Sequence, residues 1–269
     1  MKKILIFLFT LLISKQVIGQ TVHEVDQMLT EYLKQISYWS HNHDKDNSEN
    51  GDSLSNANGN LETYISTTCI KLPIDSRFPL AERKGLDITL ANDHKLKVFT
   101  WDTQLGGTQY YYSSVILGKT KNGVFSSVVD ALFLEVSQGD TTAPADTYDY
   151  YDIAGIKLKN SSMIYLFFGT QVATRYRGEQ VFACKIVNDE LVQVPFFKTK
   201  SKLLSSIGYA YDLFAFGDKN GKSDPPIIHL SKDKKKLYIP LINGHEKMTN
   251  NYLVYVFDGN NFVFDKNAK

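Results

Sequence analysis

One short run concentrates the chemistry of this chain. Trp101-Asp102-Thr103-Gln104-Leu105-Gly106-Gly107-Thr108 sets an aromatic ring, a carboxylate and hydroxyls beside paired glycines. Glycines allow backbone conformations closed to other residues and let a ligand approach the main chain. Aromatic faces bury apolar area and carboxylates accept hydrogen bonds, so the set suits recognition of a sugar or a peptide. The competing reading is a tight loop with a packed tryptophan and a turn-capping aspartate. The ligand-binding candidates are Trp101, Asp102, Thr103, Gly106, Gly107 and Thr108. Arg175, Arg177 and His245 join them if equivalent loops of a repeated fold converge.

Metal chemistry has thinner support. Asp218, Asn220 and Asp224 have the spacing of a short calcium loop, but Phe216 stands where the first acid is expected, so a plain glycine turn is the preferred reading. Residues 46–51 begin like an EF-hand loop, yet position twelve is Ala57 where a bidentate glutamate is required. His41, His43 and Asp44 offer transition-metal ligands in a stretch expected to be unstructured, where ordering entropy opposes a site. No cofactor is expected beyond that weak calcium option. No nucleophile elbow, HExxH, P-loop or dinucleotide fingerprint occurs, which lowers the expectation of an enzyme.

The elements that must position these residues repeat. Three segments share one grammar of strand, polar turn, strand, variable loop and hairpin. They are the segment 88–129, the segment from Ala154 to Phe197, and the segment from Pro226 to Asp265. Aligning Leu90, Leu158 and Leu230 gives spacings of 68 and 72 residues. Units of this kind have apolar faces that only their neighbours can cover. The expected fold is therefore mainly β, with three consecutive four-stranded antiparallel units, propeller-blade-like or stacked. Propellers normally close with at least four blades, which leaves ring closure open. The 16 Tyr and 16 Phe agree with pleated, half-buried surfaces.

Ahead of the repeats, Thr21 and Glu24 have capping-box spacing, and Val22, Val25, Leu29, Tyr32, Ile36 and Trp39 alternate steps of three and four. This predicts one amphipathic helix over 20–39. Residues 40–60 are Asn-, Asp-, Ser- and Gly-rich with Leu54 the one large apolar side chain, which predicts a flexible linker into a β domain spanning 61–269. Two inserts, 138–151 and 201–226, separate the units.

Lys2 and Lys3 precede an apolar run over 4–13, too short to span a bilayer. Residues 1–19 therefore read as a cleavable signal peptide, which places the mature chain in the periplasm or outside the cell with no membrane span. Its removal takes away Lys2, Lys3 and Lys15, leaving 27 basic residues against 29 acidic ones. That balance disfavours nucleic acid as a partner. The lysine run 232–236 sits between strands, where a solvated turn is the expectation. Cys69 and Cys184 are either joined by a disulfide, which an oxidising compartment permits, or buried as free thiols.

The segments KLKVFTWDTQLGGTQYYYSSVI and VFACKIVNDELV, together with the leader, resemble an uncharacterised family of secreted bacterial β-rich proteins that carry a W-D-T-x-x-G-G-T loop. The resemblance covers residues 85–265 and implies export and a β-rich domain; it brings no activity or catalytic residues. The function expected is an exported binding module presenting repeat loops to a protein or glycan partner. The alternatives are an envelope glycan or peptide hydrolase using Asp102 with His245 or Glu246, and an interaction protein working through its N-terminal helix.

Overall fold

The computed structural model describes residues 20–42, 53–107, 109–128, 148–212, 227–242 and 248–268. The expected signal peptide, His43, Asp44, the loop 46–51, Thr108, the calcium candidates Asp218, Asn220 and Asp224, and His245 and Glu246 lie outside them.

The first helix, α1 (Val22–His41), starts where its sequence says it should. The Thr21 hydroxyl accepts the Glu24 N–H while the Glu24 carboxylate accepts the Thr21 N–H at 2.7 Å. Its buried stripe is Val25, Leu29, Leu33 and Ile36. The polar stretch that follows is not a linker throughout. Residues from Ser53 onward form α2 (Ser53–Thr68), which buries Leu54, Ala57, Leu61 and Ile65 at helical spacing. Only Leu54 and Ala57 of that stripe precede residue 61, so composition counted up to Asn60 misses a period that straddles the boundary. Asn58, also on the buried face, contributes as a hydrogen-bonding group rather than an apolar one. A 3₁₀ turn (Cys69–Lys71) and a short α3 (Pro79–Glu82) complete the helical layer. Asp26, buried inside α1, accepts the Leu80 and Ala81 N–H groups at 3.0 and 2.9 Å, anchoring the start of α3.

The strands are β1 (Leu86–Leu90), β2 (Leu96–Asp102), β3 (Tyr112–Thr120), β4 (Gly123–Val128), β5 (Asp149–Lys157), β6 (Met163–Val172), β7 (Tyr176–Val187), β8 (Glu190–Gln193), β9 (Phe197–Lys198), β10 (Leu203–Leu204), β11 (Ser206–Asp212), β12 (His229–Leu230), β13 (Lys236–Ile242), β14 (Met248–Phe257) and β15 (Phe262–Phe264). The three expected antiparallel units are present as β1–β4, β5–β8 and β12–β15. Each first hairpin turns through one left-handed residue, His94, Ser161 and Lys234, with φ of 56°, 66° and 57°. The segment between the second and third units departs from expectation. Pro195 cannot donate to a ladder, so the strand expected to run on through Phe197 stops at Gln193. Beyond it, β9 pairs in parallel with β15 and so joins the third sheet. The chain then returns as β11 along the first half of β7, whose second half pairs with β8.

Strand alternation gives each of the first two sheets two buried faces. Phe99, Trp101, Val115 and Leu117 of the first sheet face the helices. Leu96, Val98 and Ile116 face Tyr165, Phe167, Phe182 and Cys184 of the second. Leu166, Phe168, Val181 and Ala183 on the far side of that sheet meet Leu237, Ile239, Tyr255 and Phe262 of the third. The layers therefore run helices, first sheet, second sheet, third sheet. Among the described residues no core links the third sheet back to the helices, so the units stack in an open series. One end of the stack is registered by the first-hairpin turns. The Gly155 N–H donates to Asn92 Oδ1 at 3.1 Å from one side, and its carbonyl accepts Lys234 Nζ from the other. A Cβ at Gly155 would sit 3.0 Å from Met163 and 3.3 Å from Asn92, so a glycine permits this close approach. No helix among the described residues is long and apolar enough to cross a membrane.

Candidate functional site

The opposite end of the stack carries the connections between second and third strands. Here the glycine loop of the first unit lies against the corresponding turn of the second. Tyr110 N–H donates to Val172 O at 2.9 Å, and Gln109 bridges to Ala173. The C-terminal end of α1 reaches the same place, where Ser40 Oγ donates to Gln104 Oε1. Two clefts of about 530 and 480 Å³ open there and share His41, Asp102 and Gln104. The first continues along α1 past Leu33, Ser37 and Tyr38 to Lys84; the second runs over Gly107, Gln109, Tyr110 and Thr174.

Asp102 stands at the junction. Its Oδ1 accepts the Gln104 N–H at 2.9 Å, which supports Gln104 in a left-handed conformation (φ 57°). Partial burial raises its pKa, and that one backbone hydrogen bond pulls the other way. Its cross-strand neighbour Tyr112 is likewise raised, by burial first and by the negative charges of Asp149 and Asp102 after it. The His41 Nδ1–H donates to Ser37 O at 2.7 Å, which leaves Nε2 as the acceptor of the neutral ring. Tyr110 is 51% exposed and stacks on Tyr112 at 6.1 Å with 14° between the planes, presenting an aromatic face beside the carboxylate.

The loop's other members do different work. Trp101 is no ligand platform: it is buried, and its Nε1–H donates to Asn58 Oδ1 at 2.9 Å. Thr103 is also buried, its hydroxyl given to Tyr111 O at 2.7 Å and its carbonyl accepting from Asn58. Gly106 is required by crowding, because a Cβ there would run into the Gln109 carbonyl and the Tyr111 ring, whereas Gly107 faces open space. Four residues in a row, Gln109-Tyr110-Tyr111-Tyr112, are the signal that points to the exposed ring. Alternation beside a strand cannot bury all three tyrosines.

The two arginines are engaged elsewhere. Arg175 pairs with Asp212 at 2.8 Å and lies over the Tyr176 ring. Arg177 reaches from the neighbouring register position into a row across the second sheet in which Asp149, Thr170, Glu179 and Tyr209 are successive partners. Arg177 Nε donates to Glu179 Oε1 and to Thr170 Oγ1, both at 2.9 Å. Glu179 is 1% exposed, and burial raises its pKa against the pull of Arg177. Asp149 is pushed up to about 6 by burial and by Asp87, with Arg177 opposing. Desolvation likewise pushes Tyr211, beside Arg177, up to about 12.

Cys69 and Cys184 are both free thiols, in cores on opposite faces of the first sheet, so the disulfide is not formed. Burial pushes the Cys69 thiol up to about 12 and raises Cys184 as well, which makes both unreactive. Among the described residues no group of three or more His, Cys, Asp or Glu could hold a metal ion. The only carboxylate among the described residues lining the two clefts is Asp102, which does not make the pair a glycosidase needs. In comparisons with known proteins, no family model, curated protein or solved structure matches this chain.

Proposed function

We propose that the chain is an exported binding module that holds a saccharide in the paired clefts around Asp102. The observation that carries this reading is the juxtaposition of the exposed Tyr110 face with Asp102, Gln104, Gln109 and His41. A sugar ring presents an apolar C–H face and a rim of hydroxyls. The tyrosine takes the first, and the carboxylate, amides and imidazole take the second. Binding without turnover is favoured over hydrolysis because one carboxylate can orient a hydroxyl but cannot act as both acid and base across a glycosidic bond. Export, drawn from the leader, puts such a module among envelope and extracellular glycans.

The test is the melting temperature of the purified chain against a panel of neutral and acidic oligosaccharides. A ligand at a hundred times its dissociation constant stabilises by about 2.7 kcal/mol, enough to be seen. Tyr110→Ala should weaken the saccharide found by about tenfold or more, equivalent to about 1.4 kcal/mol, with the free protein's melting unchanged. A panel without any shift, or a ligand whose affinity ignores Tyr110→Ala, would overturn the reading.

A further inference from the structure

A third cleft, of about 440 Å³, opens beside β1 away from the Asp102 site, and a buried amine is among the groups that line it. Lys97 points from β2 toward the helical layer and is 3% exposed. Its Nζ donates to Ser76 O and lies 5.2 and 5.4 Å from the centroids of Phe78 and Phe99. That is one hydrogen bond from a group with three donors, with two aromatic rings beside the amine. The charged groups around it are Asp75 and Arg77 on the loop and Glu82 on α3, with the Cys69 thiol behind and Asp87 on the rim. Three carboxylates against one guanidinium make the mouth hostile to an anion, so Lys97 is not placed as an anion anchor.

We propose that Lys97 is a nucleophilic amine that condenses reversibly with a small uncharged aldehyde or ketone entering this cleft. The nitrogen lone pair adds to the carbonyl carbon to give a carbinolamine. Loss of its hydroxyl with a proton, as water, then leaves a C=N bond to Lys97. Amine and carbonyl become imine and water, so no oxidant or reductant is needed. The rim carboxylates are suited to carry the proton, and the buried Phe78 and Phe99 rings beside the nitrogen shield the product from competing water.

The surroundings give the amine the character that this chemistry needs. Desolvation is the largest influence on Lys97 and lowers its pKa to about 8, with Arg77 acting in the same direction and Cys69, Asp75 and Glu82 opposing. Against an ordinary lysine near 10.4, that raises the unprotonated fraction at pH 8 roughly a hundredfold. Nucleophilicity falls with basicity, by about half the pKa difference in the analogous thiol case, so roughly a tenfold advantage in rate remains.

Residue-resolved labelling tests this. The full chain, native by near-ultraviolet circular dichroism, is treated with glycolaldehyde and cyanoborohydride, which reduces an imine to a stable secondary amine, and peptides are mapped over time. Lys97 is expected to be modified about ten times faster than the exposed lysines at pH 8, with a rate rising through a midpoint near 8, while theirs are still climbing toward 10. Lys97→Met should abolish the fast phase alone. If that variant does not fold, the wild-type map decides by itself. Lys97 reacting no faster than the exposed lysines, or showing their pH midpoint, would overturn the proposal and leave it a buried strut for the Ser76 loop.

Discussion

Two polar regions at one end of the stack, each with an aspartate and a tyrosine, put their polar side chains to opposite uses. In the second sheet Asp149, Thr170, Glu179, Arg177 and Tyr209 lie in and beside one register row, and the arginine shares its Nε–H between Glu179 and Thr170. Around Asp102 the aspartate, amides, imidazole and tyrosine line open clefts and leave hydrogen-bonding capacity facing solvent. What separates a structural polar cluster from a binding one here is the geometry that surrounds the groups, since each sets an aspartate and a tyrosine among other polar side chains. Sheet packing closes over the first. The second sits where a helix end, a glycine loop and a turn from the next layer meet without filling the space between them.

The largest effect should come from breaking the closed row. Arg177→Met removes the guanidinium from the almost fully buried Glu179 and leaves an uncompensated carboxylate, so stability should fall by about 3–5 kcal/mol in urea unfolding. Lys34→Met is the control: Lys34, on the wall of the first cleft, pairs with Glu31 at 2.7 Å with both side chains more than half exposed, and exposed pairs contribute about 1 kcal/mol or less. Equal losses from the two variants would erase the distinction between the regions.

Next in size is the tie between the helical layer and the site loop. Asn58 accepts the Trp101 indole N–H and donates to Leu54 O and Thr103 O, at 2.9, 2.9 and 3.0 Å. Asn58→Ala leaves a buried indole N–H without its acceptor, and thermal unfolding should report a loss of about 2–3 kcal/mol. Saccharide affinity should weaken as well, because residues 102–104 are positioned through Trp101 and Thr103. A variant with unchanged stability would mean that α2 is not what holds the loop.

A third change should stabilise. Asp149 titrates near 6 in the folded chain, above the ordinary carboxylate value, so the folded state binds more protons between about pH 4 and 6. Its contribution to stability is therefore fullest below about pH 4 and is lost as pH rises through about 6. Asp149→Asn should leave stability near pH 4 almost unchanged and raise it by about 1–2 kcal/mol at pH 7.5, because the two-unit shift, which already includes the opposing pull of Arg177, is discounted for the partial exposure of the carboxylate. Chemical unfolding at the two pH values checks the sign. Destabilisation at pH 7.5 would show that the carboxylate is held there by Arg177 more strongly than burial opposes it.

The sequence made the β units legible because period-two alternation and left-handed turn residues are local properties. Leu90 and Leu230 end the first strands of their units, while Leu158 lies one residue past the corresponding strand, whose last residue is Lys157, so the spacing finds the repeat to within one residue. Features that depend on partners in other layers were not legible. Helix α2 is stabilised by a stripe half hidden in a polar stretch and by Asn58, whose value lies in its distant acceptors and donors. Pairing of β9 with β15 joins residues more than sixty positions apart, and a two-residue strand gives no periodic signal. At the site, the glycine loop was visible as a loop, but the roles of its aromatic residues were not. Trp101 looked like the platform, and the helix layer that buries it includes the very segment read as linker.

The smallest stability effect, and the sharpest test of the open region, belongs to Asp102→Asn. The asparagine retains an Oδ1 that can accept the Gln104 N–H, so the turn that holds Gln104 at positive φ survives and stability should change by no more than about 0.5 kcal/mol. Only the charge is removed, and with it the stronger, charge-assisted acceptor offered to a ligand hydroxyl. Affinity for the saccharide should then fall by about tenfold while melting of the free chain stays put, read by calorimetry and by thermal unfolding of the same preparation. Charge-assisted hydrogen bonds are worth about 1.5–3 kcal/mol, so a drop of that order is what a directly contacting carboxylate requires. If stability falls by more than about 1 kcal/mol and affinity does not change, Asp102 serves the loop as Glu179 serves the sheet, and the two regions are alike after all.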